Sequence, residues 1–75
     1  MNTVAEAFLH YLRDRGITQA HIARVSGIDS DKLNRTFHGR RALSMKEFEA
    51  MAKAAGEEPG TLLSILYKQY IPNLK

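Results

Sequence analysis

The chain has 75 residues, enough for one small domain and too few for a second hydrophobic core. It contains no cysteine, which excludes disulfides and thiolate metal sites, and no two of His10, His21 and His38 stand at one-turn ligand spacing, so no metal or other cofactor is expected. The net charge of +3 favours an acidic partner, and no apolar run approaches the roughly 20 residues that a membrane span needs.

Breakers divide the chain into five short helical stretches. The first opens on Thr3-Val4-Ala5-Glu6, the spacing of a capping box. Val4, Phe8 and Leu12 share one face with Ala5 and Leu9 beside it, and Gly16 ends the helix. The second runs from Thr18, a natural N-cap, to Ser26, with Ile22 and Ala23 inward and Gly27 closing it. The third has Asp29 as N-cap and runs to about Phe37, closing at Gly39. Leu33 is its main anchor, and Thr36 and Phe37 compete for the next inward position. The fourth starts at the capping box Ser44-Met45-Lys46-Glu47, with Leu43 and Phe48 spaced as a hydrophobic staple. Phe48, Met51, Ala52 and Ala55 then repeat at helical spacing, and Gly56 caps. The fifth begins at Pro59, carries Leu62, Leu63, Ile65, Leu66, Tyr67, Tyr70 and Ile71, and is expected to stop at Pro72. Its apolar width suits deep burial or half of an interface. No stretch alternates with period two, so the fold class is all-α, with five helices in a single domain over residues 1–75.

The charge is local. Residues 13–41 hold seven basic side chains against three acidic ones, so the positive excess lies in the middle third. The same segment contains the sharpest spacing in the chain. Two helices crossing steeply need a small residue at the crossing, supplied by Ala23, and a permissive turn residue four positions on, supplied by Gly27. Ile28 then buries the turn and Leu33 anchors the second helix. This spacing fits a helix-turn-helix over residues 18–38.

The run from Gln19-Ala20-His21-Ile22-Ala23 through Gly27-Ile28 to Leu33-Asn34-Arg35 resembles the helix-turn-helix of Cro and phage-repressor type (Xre-like) regulators. Gly39-Arg40-Arg41, Ser44-Met45, Ala52-Lys53-Ala54, Gly56 and Leu62-Leu63 extend the resemblance over residues 5–66. It implies a compact lambda-repressor-like domain that binds a double-stranded DNA operator, encoded by a bacterium or phage and acting in the cytoplasm. The absence of a basic start and apolar stretch at the N-terminus agrees with that location. The family's second motif helix lies in the major groove, which puts Ser30, Asp31, Asn34 and Arg35 at base edges. Asn34 suits adenine and Arg35 guanine. Gln19, Arg40 and Arg41 fall where the family meets the DNA backbone, with Lys32 and His38 as further phosphate candidates. A homodimer through helix five would use Ile65, Leu66, Tyr67, Tyr70 and Ile71.

Arg35 can pair with Asp31 at i,i+4 as a surface ion pair. His21 reads as an ordinary exposed histidine. The sequence also departs from the family's pattern. Asp29 and Asp31 suit the helix dipole but not a phosphate-lined groove. Phe37 stands where a polar residue is usual, and Thr36 where a larger apolar one is. Either the end of the third helix is rotated and Phe37 packs toward Phe48, or Phe37 is exposed and marks a protein-binding patch. These departures motivate a second function class, an antirepressor or other interaction module that associates with a regulator protein. An enzyme is not expected. Ser26, Ser30 and the histidines form no nucleophile–base arrangement, and there is no glycine-rich phosphate loop.

Overall fold

The computed structural model describes residues 3–74, and among them there is no strand. Five helices follow in the predicted order: α1 (Thr3–Arg15), α2 (Gln19–Ser26), α3 (Ser30–Phe37), α4 (Met45–Ala54) and α5 (Pro59–Ile65). None of the described helices is long and apolar enough to cross a membrane.

Local capping decides where the helices begin. The Thr18 hydroxyl accepts the His21 N–H at 3.0 Å, and the Asp29 carboxylate accepts those of Asp31 and Lys32 at 3.1 and 3.3 Å. Ser44 and Glu47 form the expected capping box, with Glu47 N–H on Ser44 Oγ at 3.1 Å and Ser44 N–H on Glu47 Oε1 at 3.5 Å. Leu43, just before this cap, packs on the core that contains Phe48. Glu58 caps α5 by accepting the Thr61 N–H at 2.9 Å, with Pro59 at the first helical position. The predicted cap at Thr3 differs, because Thr3 is already helical and the residues before it lie outside the described ones.

Two glycines set the frame of α3. Gly27 has φ +78° and places its N–H on the Ala23 carbonyl at 3.0 Å, so the chain leaves α2 sharply and re-enters a helix at Ser30. At the far end Gly39 has φ +76°. Gly39 N–H meets Thr36 O at 3.2 Å and Arg40 N–H meets Arg35 O at 2.8 Å, the two bonds of a Schellman motif.

The core is built around α1. Ala5, Ala7, Phe8, Leu9, Tyr11 and Leu12 are all buried, a wider stripe than the periodicity suggested, because α1 packs on α3 on one side and on the C-terminal segment on the other. Tyr11 is buried because its hydroxyl finds Glu57 Oε2 at 2.9 Å, which satisfies the polar end of an otherwise apolar ring. Ile22, Leu33, Phe48, Met51, Ala52, Leu62 and Leu66 complete the cluster.

Phe37 is where the sequence left two answers. It is 3% exposed, so it forms no surface patch. Its ring stands edge-on to Phe8 at 5.9 Å, and Phe8 in turn meets Phe48 at 5.6 Å. Thr36 does not compete with it: Leu33, Thr36 and Phe37 are all buried, at the i, i+3, i+4 spacing of one helical stripe. The Thr36 hydroxyl is satisfied by donating to Lys32 O at 2.9 Å.

The end of the chain departs from expectation. Pro72 does not stop the fifth helix. Beyond Ile65 the helix widens into a π turn (Leu66–Tyr70) and closes in a 3-10 turn (Ile71–Asn73) that contains Pro72. In a regular helix the Pro72 ring would collide with the carbonyl four residues back, at Lys68, so the preceding turn loosens instead. Leu66 has no exposed surface and belongs to the core, which removes it from any dimer face. Tyr70 is turned onto α1, its hydroxyl donating to Asp14 Oδ2 at 2.7 Å and its ring edge-on to Tyr11 at 5.9 Å.

Candidate nucleic-acid interface

The buried stripe of α3 fixes what its other side presents. At about 100° per residue, Ser30, Asp31, Asn34, Arg35 and His38 occupy roughly 140° of arc opposite Leu33, Thr36 and Phe37. All five are exposed. Among the described residues the side chains of Ser30, Asp31, Lys32 and Asn34 make no hydrogen bond or ion pair. The structure therefore brings the four predicted base-reading residues onto one open face, with the side chains of Ser30, Asp31 and Asn34 unbonded and only the Arg35 Nε engaged.

Arg35 and Asp31 form no i,i+4 ion pair. The Arg35 Nε donates weakly to the Asp31 backbone carbonyl at 3.4 Å, and the rest of the guanidinium is free. Asp29 is occupied as the cap of α3: its Oδ2 accepts both amides and its charge offsets the helix dipole, while the side chain stays exposed. Asp31 keeps an unpartnered carboxylate at the head of this face.

The backbone candidates divide. Arg40 is exposed and Gln19 is half-buried at the start of α2, neither with a hydrogen bond from its side chain. His38 Nδ1–H donates to Asn34 O at 2.8 Å, which leaves Nε2 outward. Only the imidazolium can then donate to a phosphate oxygen. His21 is half-buried and takes an Arg24 Nη2–H at 3.3 Å through Nδ1, so it pairs within α2.

Arg41 is turned inward. Its Nη1 donates to Glu47 Oε1 at 3.0 Å and to Thr36 Oγ1 at 3.2 Å, and its Nη2 donates to Glu47 Oε2 at 2.7 Å. This fork holds the Glu47 carboxyl below its ordinary range and raises Arg41. A carboxyl depressed in the fold contributes stability above its unfolded pKa and loses it as pH falls toward the folded value. The thermal midpoint is therefore expected to drop between about pH 5 and pH 3, and to drop less in Arg41→Gln. A thermal melt series in both proteins measures this.

The five predicted dimer residues do not form one exposed face. Ile65 and Ile71 are half-buried against the core, Leu66 and Tyr70 are accounted for above, and only Tyr67 stands out, at 56% exposure. Tyr67 instead lines a shallow apolar groove of about 190 Å³ with Val4, Leu43, Met45 and Leu63. Met45, at 62% exposure, is its other prominent residue. Periodicity within helix five could not find this groove, since it is shared among α1, the α3–α4 loop, α4 and the C-terminal segment. The available signal was Met45 itself, an apolar residue directly after a helix cap.

Comparison with curated proteins and with solved structures finds no match. The family model does match. Residues 8–66, from the core face of α1 to the buried Leu66, fit the Cro/C1-type HTH DNA-binding domain, and the chain belongs to that family of regulatory DNA-binding domains.

Proposed function

We propose that this chain is a sequence-specific transcriptional regulator of the phage-repressor kind, reading an operator's major groove with α3. The observation that carries this is the open face of Ser30, Asp31, Asn34 and Arg35, exposed while the opposite side of the same helix is buried. Asn34 has the donor and acceptor to pair with adenine, and Arg35 has its terminal nitrogens free for guanine N7 and O6. Asp31 can accept from cytosine N4, which gives its unpartnered carboxylate a use in the groove. Arg40, Lys32, Gln19 and His38 are the backbone contacts of this reading.

Selection from a randomised duplex pool at several salt concentrations tests it. One enriched motif is expected, with affinity falling about 10³–10⁵-fold from 50 to 200 mM salt for six to ten phosphate contacts. No enriched motif and no salt dependence would sink it.

The homodimer belongs to the same reading, with its seat moved to the groove around Met45 and Tyr67. Tyr67→Asp places a charge in that groove without touching the core and is expected to weaken self-association by about 2 kcal/mol or more. Light scattering at two concentrations distinguishes the outcomes: a monomer mass for the variant supports the seat, and an unchanged dimer mass removes it.

The interaction-module reading loses two of its motives. Phe37 is buried, and Asp29 is engaged as a cap. The Met45–Tyr67 groove remains compatible with a regulator partner, and tight DNA binding by the isolated chain would count against that role.

A further inference from the structure

We infer that Arg41 is a positioning residue that sets the recognition helix against α4, and that it is not a phosphate ligand. The inference rests on the reading in which α3 enters the groove. A continuous polar chain supports it. Thr36 Oγ1 donates to Lys32 O within α3 at 2.9 Å and accepts from Arg41 Nη1 at 3.2 Å. The same guanidinium grips both oxygens of Glu47 at 3.0 and 2.7 Å, and Glu47 Oε1 accepts the Ser44 N–H at 3.5 Å. The last turn of α3 is thereby tied to the first turn of α4 across the loop that carries Arg40. Three features make this a clamp rather than a surface ion pair. It is bidentate, so it fixes direction as well as distance. It holds Thr36, which is itself 2% exposed. It also spends the Arg41 charge on Glu47, leaving little to attract a phosphate.

The two roles predict opposite signs for one variant. If Arg41 were a phosphate contact, Glu47→Gln would remove a competing negative charge and tighten DNA binding. As a clamp member, Glu47→Gln loosens α3 and weakens binding. The test uses the whole chain, the duplex selected by the unaltered protein and an unrelated duplex. Affinities are measured at several salt concentrations, well below each variant's melting midpoint. Arg41→Gln and Glu47→Gln are each expected to weaken the selected complex on the order of tenfold, comparable with one lost base contact. The double variant should be no weaker than the poorer single one, and binding to the unrelated duplex should change little. The slope of log affinity against log salt should stay unchanged, whereas Arg40→Gln should reduce it by about one. Arg41→Lys keeps the charge and loses the fork, so it should behave like Arg41→Gln, and it serves where the glutamine variant does not fold.

Tighter binding by Glu47→Gln, full function in Arg41→Lys, or a slope reduced by about one in Arg41→Gln would overturn the inference. So would variants that melt earlier yet keep the wild-type ratio of selected to unrelated affinity, because that is structural support alone. Failure of the unaltered chain to select any sequence overturns the groove reading, and the inference with it. That failure is recognised before any variant is made.

Discussion

Phe8→Ala is expected to abolish cooperative folding. Phe8 has no exposed surface, and its ring meets Tyr11, Phe37 and Phe48 edge-on at 6.3, 5.9 and 5.6 Å. It is the side chain through which α1, α3 and α4 share one core. Truncating a buried phenylalanine costs about 3–5 kcal/mol, a loss that includes its aromatic edge contacts. A domain below about 70–80 residues rarely draws more than about 3–5 kcal/mol from its core, and no disulfide is present to supplement it here. The loss therefore matches the whole margin. Far-UV circular dichroism on heating should show no sigmoidal transition for the variant. Val25→Ala, at a site 54% exposed, should melt within about 0.5 kcal/mol of the parent. A cooperative Phe8→Ala transition within a few degrees of the parent would show that the core does not depend on this ring.

Asn34→Ala and Arg35→Ala are expected to have the second-largest effects, on binding and not on folding. Each should weaken the selected complex by about 1–3 kcal/mol and relax the preference at one base position. Neither should move the melting midpoint. Asn34 gives only its backbone carbonyl to His38, and Arg35 makes a single weak bond to the Asp31 backbone. Repeating the pool selection with each variant reads the position directly. Uniform loss across all sequences would turn the residue into a phosphate contact instead.

What the sequence made legible was local. Thr18, Asp29 and Ser44 mark helix starts because a cap bonds within its own first turn, Pro59 because a proline fits the first helical position, and Ala23, Gly27 and Leu33 mark the motif because their spacing is its geometry. The open face of α3 followed from the same logic once Leu33 was placed inward. What stayed hidden depends on chain that returns from a distance. Glu47 meets Arg41 across residues 42–44 and the first turn of α4, and the six-residue separation is no helical pairing distance. Tyr11 donates its hydroxyl to Glu57, 46 residues away, and Tyr70 donates to Asp14, 56 residues away. A helix-by-helix reading therefore gave Tyr70 and Leu66 to a dimer face when tertiary packing takes them. Phe37 was ambiguous for the same reason, because its partner Phe8 stands on another helix.

Amide chemical-shift changes in the intact chain, titrated with the selected duplex, bear most directly on whether α3 and its flanking turns meet DNA. The largest changes are expected at Thr18 and Gln19, across residues 30–35, and at Gly39 and Arg40. Changes confined to α1 and residues 59–73, with residues 30–35 unmoved, would contradict the groove-reading role of α3.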